Sequence, residues 1–188
     1  MFPSPQTLFE EIKEEVKIEL LDLKNNLLTL FQIDTINEIG LKLYDACRDK
    51  EKLEAFCDLV NNDLSKDWLQ MVYQYYLADR DEKKQDFTPA SLALLLGELL
   101  DDSNDIIDMC AGSGALIIQS WTKSPDKHYT AYEVDENVLP FLIFNLVIRN
   151  IESDVFLADV LGECEYKRFY KIRKGERFGQ ISAIEPAI

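Results

Sequence analysis

Apolar residues recur every three or four positions through the first eighty residues of the chain, with glutamate and lysine filling the gaps. Leu8, Ile12, Val16, Leu20, Leu23, Leu27 and Leu30 trace one such stripe, which is the period of an amphipathic helix. Two shorter helical segments follow at 36–47 and 50–60. A further one, 64–78, carries Trp68, Met71, Val72 and Tyr75 as its apolar stripe. Helix packing is the plain account of these stripes. A partner-docking face is the alternative, because this much amphipathic helix must cover itself or something else. The charged run Arg80–Lys84 (RDEKK) is the candidate boundary between a helical region, 1–80, and a second domain, 81–188.

From residue 85 the period changes. Thr88-Pro89 offers a capping oxygen followed by a proline suited to a first helical turn, and the helix then runs through Leu92, Leu95, Leu96 and Leu99. A strand is predicted at 105–109, then a glycine turn and a helix over 115–121. A second strand, HYTAYEV (128–134), leads into a helix over 136–149. SDVFLAD (153–159) reads as a third strand and GQISAI (179–184) as a fourth. Strand and helix alternate, so the expected fold is α/β and Rossmann-like. Its sheet should be mostly parallel, incomplete at the C-terminus, and preceded by an all-helical region. Ligands in such folds gather at the carboxyl ends of the strands.

Composition narrows the function. The net charge is −15, and both halves are acidic: residues 1–80 hold 9 basic and 16 acidic side chains, residues 81–188 hold 11 and 19. That argues against strong, sequence-independent binding of phosphate backbones by this chain alone. Four cysteines (Cys47, Cys57, Cys110, Cys164) show no CxxC spacing and the single histidine is His128, so unpaired structural thiols in a cytoplasmic protein are expected and no metal site is. No apolar run approaches the roughly 18 residues of a membrane span.

The stretch DMCAGSGAL (108–116) is a tight strand-to-helix turn of small residues that lets a ligand approach the backbone. A phosphate-binding P-loop would need Gly-Lys-Ser/Thr, and Gly114 is followed by Ala115-Leu116. A dinucleotide fingerprint would need a third glycine where Ile117 stands. The remaining candidate is S-adenosylmethionine, which carries no phosphate. Strand-end acids support it. Glu133 can accept the hydroxyls of a ribose, Asp159 the amino group of an adenine, and Asp108 can face a methionine amine.

QDFTP, DMCAGSGAL, YEVD and LADVL, taken together, resemble the adenine-N6 DNA methyltransferases, specifically the modification subunits of type I restriction-modification systems. The resemblance covers roughly residues 64–188. It implies that Phe87 and Thr88 contact the methionine portion of S-adenosylmethionine, and that Asp108 lines the same end together with the Gly112-Ser113-Gly114 turn. It further implies that Glu133 binds the ribose, Asp159 the adenine amine, and that Asp135 flanks the adenine. Met109 stands where the family usually has proline, and Asp86 where it often has an aromatic. After the fourth strand the family carries Asn-Pro-Pro-Phe, whose amide and aromatic hold a flipped adenine. Here Glu185-Pro186-Ala187-Ile188 occupies that place, a degenerate catalytic position at Glu185 and Pro186.

One further stretch, YKRFYKIRKGERFG (166–179), interleaves six basic residues with aromatics, as nucleic-acid contacts do, although a solvated loop is the plainer account. Two readings follow. One is the cofactor-binding part of a DNA adenine methyltransferase whose chain alone is inactive, with DNA contact weak or indirect. The other is a non-enzymatic scaffold that docks on a modification or restriction subunit.

Overall fold

The computed structural model describes residues 19–77, 88, 90–99, 103–162 and 166–184. The helical region holds α1 (residues 19–31), a single 3-10 turn, α2 (Ile39–Ala46), α3 (Lys50–Leu59) and α4 (Trp68–Tyr76). Two of these start on aspartate caps: Asp49 accepts from Lys52 N at 3.2 Å, and Asp67 accepts from Gln70 N at 2.9 Å. Such a cap contributes about 1 kcal/mol, and it explains why helices resume so soon after short breaks. Next come α5 (Ala90–Leu99), β1 (Asp105–Asp108), α6 (Ala115–Lys123), β2 (His128–Glu133), α7 (Leu139–Ile148) and β3 (Ser153–Ala158). β4 (Tyr166–Arg173) and β5 (Gln180–Ile184) complete the described chain.

The five strands form one sheet in the order β1-β2-β3-β4-β5. β1 to β3 pair in parallel, whereas β4 is antiparallel to both β3 and β5. Four strands therefore point one way, as the alternation of strand and helix predicts, and β4 is reversed between them. The sequence reading missed β4. Its basic residues hid the alternation of a strand whose inner positions are Tyr170 and Ile172, both buried.

Sequential parallel strands joined by right-handed crossovers put α6 and α7 on one face of the sheet. Tyr129, Val155, Leu157, Tyr170 and Ile172 are buried on that face, and the Tyr129 hydroxyl reaches Ser120 of α6. Every residue of α7 from Leu139 to Ile148 except Pro140 is buried, because the sheet lies on one side and the helical region on the other. Phe31 and Phe56 meet Phe144 edge-on, and Tyr73 meets Phe141 in the same way. One continuous apolar core thus runs from Leu27 to Phe178.

Two predicted stripes face elsewhere. In α4 the buried residues are Leu69, Val72 and Tyr73, while Met71 and Tyr75 are 39% and 59% exposed. The helix is apolar nearly all round, so periodicity could not decide its rotation. Trp68, Met71 and Tyr75 instead line a groove with Leu20 and Leu23 of α1. In α5, Leu92, Leu95 and Leu99 point outward. Among the described residues no helix is long and apolar enough to cross a membrane.

Candidate functional site

β1 ends at Asp108, and the chain turns through Cys110–Gly114 into α6. Gly112 and Gly114 hold φ of +56° and +94°, a region that glycine alone enters freely. A side chain at position 114 would meet Leu142 Cδ1 at 3.0 Å, so that glycine also permits close packing on α7. Among the described residues nothing lies within 4 Å of where a side chain on Gly112 would stand. The backbone there is open to a ligand.

β2 fastens the turn. Ala111 N–H donates to Tyr132 O at 2.9 Å, and Gly112 N–H donates to Glu133 Oε2 at 2.8 Å. Glu133 Oε1 accepts from the N–H groups of Val134 and Asp135 at 2.9 and 2.8 Å. Three N–H donors make this buried carboxylate tolerable, and Oε2 keeps one lone pair in hand. Asp108 is less well served. Its Oδ1 accepts from Cys110 N at 3.1 Å, but Oδ2 is buried without a hydrogen-bond partner among the described residues. Burial raises its pKa above the ordinary carboxylate range, partly offset by the Cys110 bond. An orphaned carboxylate oxygen in such a place fits a ligand bearing N–H groups or positive charge.

A cleft of about 160 Å³ gathers Thr88, the Cys110–Ser113 backbone and Glu133, with Gln70 and Tyr73 of α4 among its walls. Strand parity puts Asp108 and Glu133 on the helix-covered face at the ends of adjacent strands, and Asp159 follows β3 just past its register shift at Leu157/Ala158. Asp159 is exposed, with Oδ1 accepting from Leu161 N at 3.0 Å. Asp135 Oδ1 accepts from the Asn137 backbone and side-chain nitrogens at 2.9 and 3.0 Å. Phe87, Glu185 and Pro186 lie outside the described residues. β5, which leads into Glu185, stands at the opposite edge of the sheet from β1.

A much larger cavity of about 1070 Å³ opens between α2, the start of α7 and the β4–β5 hairpin. Its Lys42, Lys167 and Arg168 are balanced by Glu38, Asp45 and Glu136. The glycine turn and the Glu133 carboxylate line the smaller cleft, and Asp108 ends the strand that enters that turn, so the smaller cleft is the site. Among the described residues no cluster of histidine, cysteine and acidic side chains suits a metal ion.

Sequence reasoning missed the polar contacts behind the turn. The Ser113 hydroxyl donates to Asp67 Oδ2 at 2.6 Å. Asn145 Nδ2 donates to Asp67 Oδ1 and to Ser113 O, both at 2.9 Å. Arg149 Nη1 donates to Asn145 Oδ1 at 2.8 Å, and its Nε and Nη2 reach Leu64 O and Lys66 O. The one available signal was Asn145, a lone amide in an apolar helix.

The N-6 DNA methylase family matches residues 64–178, well over half of the chain. The chain belongs to that family. No curated protein matches it. A solved structure similar to this chain is a Listeria monocytogenes protein assigned as a class I S-adenosylmethionine-dependent methyltransferase. The two are 16% identical with a TM-score of 0.48, over 75% of this chain and 52% of the other. The chain thus spans about half the length of that protein.

Proposed function

We propose that this chain holds S-adenosylmethionine in the Gly112–Glu133 cleft, as the cofactor-binding part of a DNA adenine methyltransferase of the type I modification-subunit kind. The observation that carries it is the open Gly112 backbone beside a buried Asp108 oxygen that lacks a partner. Asp108 takes the ammonium of the methionine end, the spare lone pair on Glu133 takes a ribose hydroxyl, and Asp159 takes the adenine amine. When bound, S-adenosylmethionine supplies a methyl group on a sulfonium for transfer to the adenine amino nitrogen.

The same reading holds that this chain does not transfer methyl groups by itself. Transfer needs the acceptor nitrogen held at near-contact distance, and loose placement is costly. Glu185-Pro186-Ala187-Ile188 lacks the amide, the stiff turn and the stacking ring that the sequence resemblance would require. The strand leading into it stands four strand spacings from β1, roughly 19 Å at usual sheet geometry. That separation also favours a second reading, a scaffold that docks on another modification or restriction subunit.

Calorimetric titration with S-adenosylmethionine separates the two readings. Saturable binding is expected, and Glu133→Ala should weaken it by about 1–3 kcal/mol. Flat heats at millimolar ligand would overturn the cofactor reading and leave the scaffold. Labelled-methyl transfer to unmethylated DNA should be absent with this chain alone, and turnover would overturn the claim of inactivity.

A further inference from the structure

We infer that Asp67, in the helical region, is a positioning residue for the cofactor turn, acting through Ser113. The inference rests on the reading of that cleft as the S-adenosylmethionine site. Ser113 sits between Gly112 and Gly114, so a ligand approaching the open Gly112 backbone meets the turn that Ser113 belongs to. The Ser113 side chain does not point into the cleft as a ligand contact. It is buried, and its hydroxyl is committed to Asp67 Oδ2 at 2.6 Å. Its carbonyl is held by Asn145 Nδ2 at 2.9 Å. The hydroxyl and the carbonyl of this residue are thereby fixed from the side away from the ligand.

The groups that hold Ser113 are themselves fully engaged. Asp67 caps α4 through Gln70 N and takes Asn145 on the same oxygen. Arg149 orients Asn145 through its Oδ1 at 2.8 Å and binds the carbonyls of Leu64 and Lys66, which bracket the segment leading into Asp67. α4, capped by Asp67, in turn supplies Gln70 and Tyr73 to the cleft wall. One residue thus fixes both the turn and the wall opposite it. A turn containing two residues at positive φ has many alternative conformations, and preorganising it removes an ordering cost that binding would otherwise carry. Asp67 therefore sets cofactor affinity without touching the cofactor.

The test is a double-mutant cycle on the full chain with S-adenosylmethionine affinity as the observable. Asp67→Ala and Ser113→Ala should each weaken binding by about 10-fold or more, and the double variant by no more than about 3-fold beyond either single one. Arg177→Ala, which removes an exposed pair with Glu54 between the helical region and the hairpin, should leave affinity within about 2-fold. Multiplying effects of the two substitutions would overturn the inference, as would an Asp67→Ala affinity equal to that of the unaltered chain. If Asp67→Ala does not fold, Ser113→Ala and Asp67→Asn carry the test. Asparagine still caps α4 and reaches Ser113, so Asp67→Asn should stay within about 3-fold while Ser113→Ala loses about 10-fold. Equal affinities for those two would overturn the inference.

Hydrogen exchange without ligand reads the same proposal independently. Ser113→Ala should speed exchange at the Gly112 and Gly114 amides by about 10-fold while α7 amides hold their rates. An unaltered chain that binds no S-adenosylmethionine removes the cofactor reading. Positioning of the turn by Asp67 then stands or falls on this exchange difference.

Discussion

Asp108 places an ionised oxygen where none of the described residues satisfies it. Desolvation raises its pKa, so the folded chain holds the Asp108 proton more tightly than the unfolded chain does. The stability associated with that proton is complete at acid pH and is lost as pH rises through the raised value. At neutral pH the empty site is therefore less stable than it could be. Asp108→Asn should raise the stability of the ligand-free protein by about 1 kcal/mol, because a neutral amide costs less than an orphaned charge. The same substitution should remove binding of a cationic ligand, and S-adenosylmethionine affinity should fall on acidification at a pH above the ordinary carboxylate range. Thermal unfolding paired with titration checks both. A destabilised Asp108→Asn that still binds would show that the orphaned oxygen is not the ligand's partner. Glu133 differs in kind: three backbone N–H groups already repay its burial, so it serves the fold before any ligand arrives.

The elements that were legible in the sequence are those specified by local pattern. β1, β2 and β3 announce themselves by short apolar runs, and the glycine turn by residues that only a tight strand-to-helix bend requires. What was not legible depends on contacts made across the chain. The rotation of α4 is set by which neighbours reach it, and the bond between Asp67 and Ser113 joins residues 46 apart. β4 was hidden for a different reason: its outer face mixes Phe169 with Lys171 and Arg173, so charge masked alternation. The β4–β5 hairpin depends on its turn. Gly175 exchanges two hydrogen bonds with the Asn150 side chain at 2.8 and 3.0 Å, and a Cβ there would stand 2.2 Å from Phe178 O. A backbone oxygen cannot yield as a flexible side chain can. Gly175→Ala should therefore cost about 1–3 kcal/mol, the scale of overpacking. Urea unfolding that matches the unaltered chain would mean the turn opens without penalty.

Across the whole molecule, charge decides how the protein meets DNA. The net charge is −15, and the basic stretch 166–179 is its only dense positive feature in the sequence. The fold pairs four of those six cations with acids. Arg173 pairs with Asp154 at 3.0 Å and Glu152 at 3.7 Å, Lys174 with Asp126 at 2.5 Å, and Arg177 with Glu54 at 3.3 Å. Lys167 lies 3.9 Å from Glu136, and Lys171 sits over the Phe169 ring. The aromatics are committed as well: Phe156 is stacked between Tyr132 and Phe169, at centroid distances of 5.0 and 4.4 Å. Ring faces spent on one another are not open to bases, and cations paired with acids release few counterions from a duplex. DNA binding by the isolated chain should thus be undetectable in gel shifts at physiological salt and emerge only as salt is lowered. Glu136→Gln with Asp126→Asn frees two of the cations, Lys167 and Lys174, and should strengthen low-salt binding by up to about 10-fold, with a steeper salt slope. Retention at physiological salt by the unaltered chain would mean that a surface other than β4 carries the contact. No gain in the double variant would mean that the ion pairs are not what withholds those lysines.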